Sequence, residues 1–330
     1  IAAAAALREL ARSQGEVTTT LTCGGFVGRA ENRALLKYLG LNIQSLENTP
    51  PANYDCVALV DTQPGAGNNA LDPEIVPDIV VDHHPIRAQT RKSAFFDVRK
   101  RYGATSTIFH EYLNCCDLEI SVPLATALLY GIRSDTADFG REAIQADIHA
   151  FLALYPSSNK KMIGRIAMAR VPRAYFRTIA AALTGARSSD NCVFSVLGAV
   201  DNPDIVSEVA DLLLRDEESN WALAIGMHRG ELLLSLRSSD LTMDAGKVMH
   251  HLVGKIGTGG GHVSIAGGQV PLRTEDLDTI QKLVDGIIRR FLAKLGAKKA
   301  NLHMLIEKRP DPESMTLAAA VSPDESAGIA

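Results

Sequence analysis

The sequence predicts an α/β protein built from a parallel-sheet domain, a helical connector and a smaller α/β domain, and three observations predict it. Two apolar runs without polar alternation, Ile79-Val80-Val81 and Cys56-Val57-Ala58-Leu59-Val60, suit strands inside a parallel sheet covered on both faces. Each run ends in ionisable or turn residues, the first in Asp82-His83-His84-Pro85 and the second in Asp61-Thr62-Gln63-Pro64-Gly65. Ligands of open α/β sheets gather at the carboxyl ends of the strands, so these residues are candidates for one site. The third observation is length. A chain of 330 residues exceeds the usual single domain, and 46% apolar content supplies two ordinary cores.

Residues 2–13 favour a helix, with Leu7 and Leu10 three apart and Ser13, Gln14 and Gly15 as its stop. A strand over 18–21 leads into Thr22-Cys23-Gly24-Gly25-Phe26-Val27-Gly28, then a helix over 32–39 stopped by Gly40. Residues 41–46 and 93–97 read as strands, 68–77 as a loop with a short helical turn, and 106–113 as a helix that Ser106 and Thr107 can cap. A helix over 125–132 runs into Arg133-Ser134-Asp135-Thr136, which makes Asp135 a third acid to note. Arg133 and Arg141 flank it, and a guanidinium there can hold a phosphate in a bidentate fork or form a structural ion pair. His110 and Asp138 read as ordinary core or surface residues.

From about 145 the strand and helix alternation gives way to helix as far as 186, a connector made basic by Lys160, Lys161, Arg165, Arg170, Arg173 and Arg177. Such residues form a solvated face or the wall of a phosphate-facing cleft. The second domain opens with a strand over 192–197 and a helix over 205–214. Strands over 221–227 and 231–237 follow, joined by the Arg229-Gly230 turn. A helix over 245–252 precedes Gly257-Thr258-Gly259-Gly260-Gly261-His262, where missing side chains let backbone N–H groups approach an anion; the same run also makes a plain turn. The last helix, 278–295, carries Ile280, Leu283, Ile287 and Ile288 on one face. These readings set domains at 1–145, 146–190 and 191–297, with a mobile tail over 298–330.

A formal net charge of −4 gives no global basic field, so no duplex DNA footprint is expected and any nucleic-acid contact is local. Five cysteines form no C-x-x-C pair and no zinc spacing, and their odd number argues against a disulfide framework, so a cytoplasmic location is expected. No apolar stretch approaches the roughly 20 residues of a membrane span, and the Ala-rich start lacks the basic segment of a signal peptide. The chain opens on Ile1 without an initiator Met, as a trimmed or partial chain would.

Taken together, Asp82-His83-His84, Asp61, Tyr102-Gly103-Ala104-Thr105-Ser106, Gly131-Ile132-Arg133-Ser134-Asp135-Thr136 and Gly259-Gly260-Gly261-His262 resemble the motifs of the DHH phosphoesterase family that carries a C-terminal DHH-associated domain. The resemblance runs in order from about residue 5 to 290 and is strongest to the oligoribonuclease and pAp phosphatase type. It implies an active site in the cleft between the domains, with Mn²⁺ as cofactor. By that resemblance Asp61, His83 and Asp135 are metal ligands, and Asp82 and His84 are catalytic, His84 touching the scissile phosphate. Arg237, Gly259, Gly260, Gly261 and His262 bind the substrate, a short single-stranded oligonucleotide, pAp or a cyclic dinucleotide. A homodimer is left open.

The chain departs from the family at the first metal motif, a His followed by two aspartates one residue apart. Leu21, Gly25 and Val27 stand roughly in their places, and Cys23 and Glu31 do not sit at matching positions. Since metal sites in enzymes usually have about three protein ligands, one ion at most is expected, with weak or altered hydrolysis. The alternative is a nucleotide-binding member without turnover.

Overall fold

The computed structural model describes residues 1–140, 143–240, 242–297 and 301–306. The chain forms two compact units, Ile1–Pro172 and Arg173–Ala330.

In the first unit all strand pairing is parallel. Strand β1 (Leu21–Cys23) pairs with β2 (Ile43–Ser45), and the crossover is α2 (Ala30–Leu39), ended by Gly40 in the left-handed region at φ 61°. Strands β3 (Ala58–Val60), β4 (Ile79–Asp82) and β5 (Phe95–Val98) form a second parallel sheet with β4 in the centre. Helices α1 (Ala2–Ser13), α3 (Thr105–Cys115), α4 (Val122–Asp135), α5 (Gln145–Ser157) and α6 (Lys160–Ala167) complete the unit. Helix α4 is apolar on nearly every side from Leu124 to Ile132, as a buried helix must be, and Ser121 caps its N-terminus by accepting from the Leu124 N–H. A Cβ at Gly131 would strike the Ser106 hydroxyl, so this glycine lets α4 cross close to α3. Ile108, Phe109, Leu128 and Ile132 fill the core there with Val81 of β4.

The second unit holds α7 (Arg173–Gly185), β6 (Arg187–Ser189), β7 (Cys192–Ala199), α8 (Asp204–Leu213), β8 (Trp221–His228), β9 (Glu231–Ser238), α9 (Ala245–Val253), β10 (Thr258–Gly261), β11 (Ile265–Pro271), α10 (Leu277–Leu295) and β12 (His303–Met304). Among the described residues its seven strands run in the order β10-β11-β9-β8-β7-β6-β12, with β7 and β8 parallel and the other pairs antiparallel. The period of two divides the side chains cleanly. Trp221, Leu223, Leu234 and Leu236 face α9 and α10, while Val193, Ala222 and Ala224 face α7 and α8.

The α/β class with a parallel sheet in the first part is as the sequence predicts. Two expectations need correction. The Gly-rich run is strand β10, not a turn, and it pairs Gly259 with Gly268 and Gly260 with Gly267. The expected tail from 298 contains β12, which pairs His303 with Ser188 and Met304 with Arg187 and adds a bond from the Leu305 N–H to the Ala186 carbonyl. So short a strand has no periodicity to show in a sequence, since its register comes from backbone bonds and the contact of Ser188 Oγ with His303 Nε2 at 2.9 Å. Arg141, residues 298–300 and residues 307–330 lie outside the described residues. No helix among the described residues is long and apolar enough to cross a membrane.

Candidate functional site

Parallel pairing of β3 with β4 matches Val60 to Val81 and so delivers Asp61 and Asp82 to the same end of the sheet. The Asp61 N–H donates to the Val81 carbonyl at 2.9 Å, and the chain turns there with Asp61 at φ 63°. A left-handed non-glycine residue costs ~1 kcal/mol, and aspartate tolerates it better than most. The Thr105 hydroxyl, in the first turn of α3, donates to Asp61 Oδ1 at 2.7 Å and aims the carboxylate. Donor atoms of Asp61, Asp82, His83 and His84 all lie within 4.8 Å of one another.

Asp82 is 0% exposed, and both its oxygens are engaged. Oδ1 accepts from the His83 N–H at 2.8 Å and from His84 Nδ1 at 2.7 Å, and Oδ2 accepts from Gln63 Nε2 at 2.6 Å. Burial pushes this carboxyl up, but the bonds from His84 and Gln63 and the backbone N–H of His83 overcome it and hold the group below its ordinary range. Asp82, expected to be catalytic, thus orients His84 through Oδ1 and remains one of the four converging donor residues.

The two imidazoles are oriented differently. His83 Nδ1 donates to the Tyr102 carbonyl at 3.0 Å, which fixes the tautomer and turns Nε2 towards Asp61 Oδ1, 3.6 Å away. His84 has its Nδ1 on Asp82, which raises its pKa against burial, with further help from the charges of Asp82, Asp61 and Asp135. Carboxylate and neutral imidazole facing one point suit zinc, manganese or iron, so the donor set of Asp61 and His83 fits a divalent cation.

Asp135, on the last turn of α4, adds its field to His84 but is not among the four residues of the compact group. Cys23 and Glu31 are not in it either. Cys23 Sγ donates to the Gly25 carbonyl, and Glu31 lines a separate polar cavity with Arg29, Tyr130, Arg133 and Asp138. Arg133 pairs with Asp138 there, which favours the structural reading of that arginine. Gln63 was not a candidate from sequence, yet it is 1% exposed and bonded to Asp82. A lone glutamine in a turn carries no signal that could have found it.

The remaining candidates are in the second unit. Arg237, expected to bind substrate, is 7% exposed, its Nε donates to Asp211 of α8, and its Nη1 donates to Ser235 Oγ and the Leu236 carbonyl. Gly259 and Gly261 are constrained by packing, because a Cβ would meet Met249 Cγ at 2.9 Å in the first case and the Ile265 carbonyl in the second. Gly260 is different, exposed and with nothing within 4 Å of an added Cβ. The carbonyls of His262 and Val263 accept from the N–H groups of Gly246 and Ala245, so the β10–β11 turn caps α9.

Residues 189–290 match the DHHA1 domain family. The chain is 32% identical over 305 residues to an uncharacterized protein of Methanocaldococcus jannaschii, a match that takes in 91% of this chain and 62% of that one. The chain thus spans less than two thirds of the curated relative it matches. The crystal structure of an exopolyphosphatase-related protein from Bacteroides fragilis shares the fold, with a TM-score of 0.57 at 13% identity, over 88% of this chain and 98% of that one. Asp82-His83-His84 thus stands at the end of a central parallel strand, and the segment that matches the DHHA1 domain family follows it in the chain.

Proposed function

We propose that the protein is a divalent-metal-dependent phosphoesterase that holds one ion between Asp61 and His83 and acts on short single-stranded oligonucleotides or phosphorylated nucleotides. The observation that carries this reading is the convergence of Asp61, Asp82, His83 and His84 within 4.8 Å, with Nε2 of His83 turned towards the Asp61 carboxylate. A bound ion supplies Lewis-acid activation of water or of the phosphoryl oxygen. Asp61 and His83 hold it, and Thr105 keeps Asp61 in place. His84, kept protonated at Nδ1 by Asp82, directs its other nitrogen to a phosphate oxygen. Asp135 contributes negative charge beside the ion. Mn²⁺ matches a mixed nitrogen and oxygen donor set.

A second reading, a nucleotide-binding protein without turnover, is favoured by the turn between β1 and α2. Gly25 and Val27 offer no donor there, and neither Cys23 nor Glu31 joins the site. Hydrolysis of short RNA and of pAp with Mn²⁺ separates the two. Losing one ion removes a contribution of several kcal/mol, and each ~1.4 kcal/mol is about tenfold in rate, so slow turnover is expected. His84→Ala should abolish it, and Gly25→Asp with Val27→Asp should raise it. Tight pAp binding with no turnover in any variant supports the second reading, whereas rapid turnover by the unmodified protein overturns the single-ion reading.

A further inference from the structure

The peptide group between Tyr102 and Gly103 is held at both ends. Its carbonyl accepts from His83 Nδ1 at 3.0 Å, and its N–H donates to Asp147 Oδ2 at 2.9 Å. Asp147 lies 44 residues further along the chain, in the first turn of α5, and is 0% exposed. The same Oδ2 accepts from the Ile144 N–H at 2.9 Å, and Oδ1 accepts from Thr107 Oγ1 at 2.6 Å. All of these partners are neutral, and no ion pair to Asp147 exists among the described residues.

A capping role alone accounts poorly for this carboxylate. Helix N-termini are capped as well by uncharged side chains, and a buried charge without a counter-ion is costly. The peptide plane gives the charge a use. Negative charge at its N–H end polarises the group, makes the carbonyl a stronger acceptor, and hydrogen bonds in such a chain strengthen one another. Histidines that bind metals donate their second ring N–H to a carboxylate or carbonyl, which sets tautomer, orientation and basicity.

We propose that Asp147 is a positioning residue for His83, acting through the Tyr102–Gly103 peptide to keep the proton on Nδ1 and Nε2 turned to the site. The metal-affinity part of this proposal rests on His83 being a ligand; the tautomer part does not.

Asp147→Asn tests charge separately from shape. The amide oxygen can take the Gly103 and Ile144 N–H groups while the amide nitrogen donates to Thr107, whose hydroxyl reverses to accept. The readouts on the full chain are the ring ¹⁵N and Nδ1–H resonances of His83 in metal-free protein, assigned with His83→Gln, together with Mn²⁺ affinity by calorimetry. Asp147→Asn should move the Nδ1–H signal upfield and weaken Mn²⁺ about tenfold, in line with losses at such supporting positions. Thr107→Val removes a competing donor, leaves more of the carboxylate's charge on the Gly103 N–H, and should move the same signal downfield. Unchanged His83 signals in Asp147→Asn, or a shift in the same direction in both variants, overturns the proposal. If Asp147→Asn does not fold, the Thr107→Val shift decides alone, downfield in support and upfield or absent against. The expected shifts without Mn²⁺ binding by the unmodified protein would overturn the metal reading and leave the positioning role standing.

Discussion

Gln63 and Asp82, 19 residues apart in sequence, meet side by side in the interior, where Gln63 Nε2 donates to Asp82 Oδ2 at 2.6 Å. The same nitrogen donates to the Pro85 carbonyl at 3.1 Å, and Gln63 Oε1 accepts from the Arg87 N–H and the Thr90 hydroxyl, both at 2.8 Å. One amide thus ties the turn after β3 to the segment that follows the two histidines. The loop that carries His83 and His84 is held from beneath.

Gln63→Leu should destabilise the protein by about 3 kcal/mol, because buried groups at Asp82 and Thr90 lose their partners at once. Urea unfolding measures it. Gln63→Glu keeps an acceptor for Thr90 but sets a second carboxylate against Asp82. Its deficit at neutral pH should shrink as the solution is acidified, and a deficit independent of pH would contradict the close contact.

Metal analysis of dialysed protein should find at most one Mn²⁺ per chain. Asp61→Ala and His83→Ala should each release it, because two donors facing one point cannot lose a member and still hold the ion. Two ions per chain, or none after incubation with Mn²⁺, would each be incompatible with the single-ion site.

The glycines of β10 should respond unequally. Gly260→Ala should change stability by less than about 0.5 kcal/mol, since an added Cβ meets nothing. Gly261→Ala should cost about 1–3 kcal/mol, because its Cβ would strike the Ile265 carbonyl and Ala266. If a phosphate approaches this strand, Gly260→Ala also weakens pAp binding in calorimetry. Unchanged affinity there would assign the strand a purely structural role.

His110 supplies a pH dependence of stability. Burial holds its imidazole below the ordinary range against a smaller opposing field from Glu111, and its neutral Nε2 accepts from Asn114 Nδ2 at 3.1 Å. The unfolded chain titrates near 6.5 and takes up the proton first, so this contribution is complete above that pH and is lost as pH falls through it towards the folded value. Denaturation at a series of pH values from about 7.5 to 5.5 should show the loss, and His110→Gln should flatten it.

The parts of the fold that sequence reveals are those governed by local rules. Ile79-Val80-Val81 announces a buried strand and Asp82-His83-His84 the candidate site at its end, while α8, α9 and α10 show in their apolar periods. Partners set by tertiary placement leave no such trace. Arg237 alternates with Leu234 and Leu236 on β9 and so falls on the α8 face, where Asp211, 26 residues earlier, takes its charge. Gly259 and Gly268 share one cause, the approach of Met249 and Val253 on α9, which no spacing within the glycine run could disclose. Asp147 bonds Gly103 and Thr107 from 44 and 40 residues away, beyond the range of any helix or strand period.

Among the described residues the wide sheet of the second unit ends on one side in β10, four residues of which three are glycine, and on the other in β12, two residues long. Outermost strands expose unpaired backbone groups that can recruit a strand from another molecule and start aggregation. A glycine-rich border offers an incoming strand almost no side chain to bury, and a two-residue border gives it too little length to lock a register. Both terminations limit how readily a large apolar sheet can add a strand from a second copy of the chain.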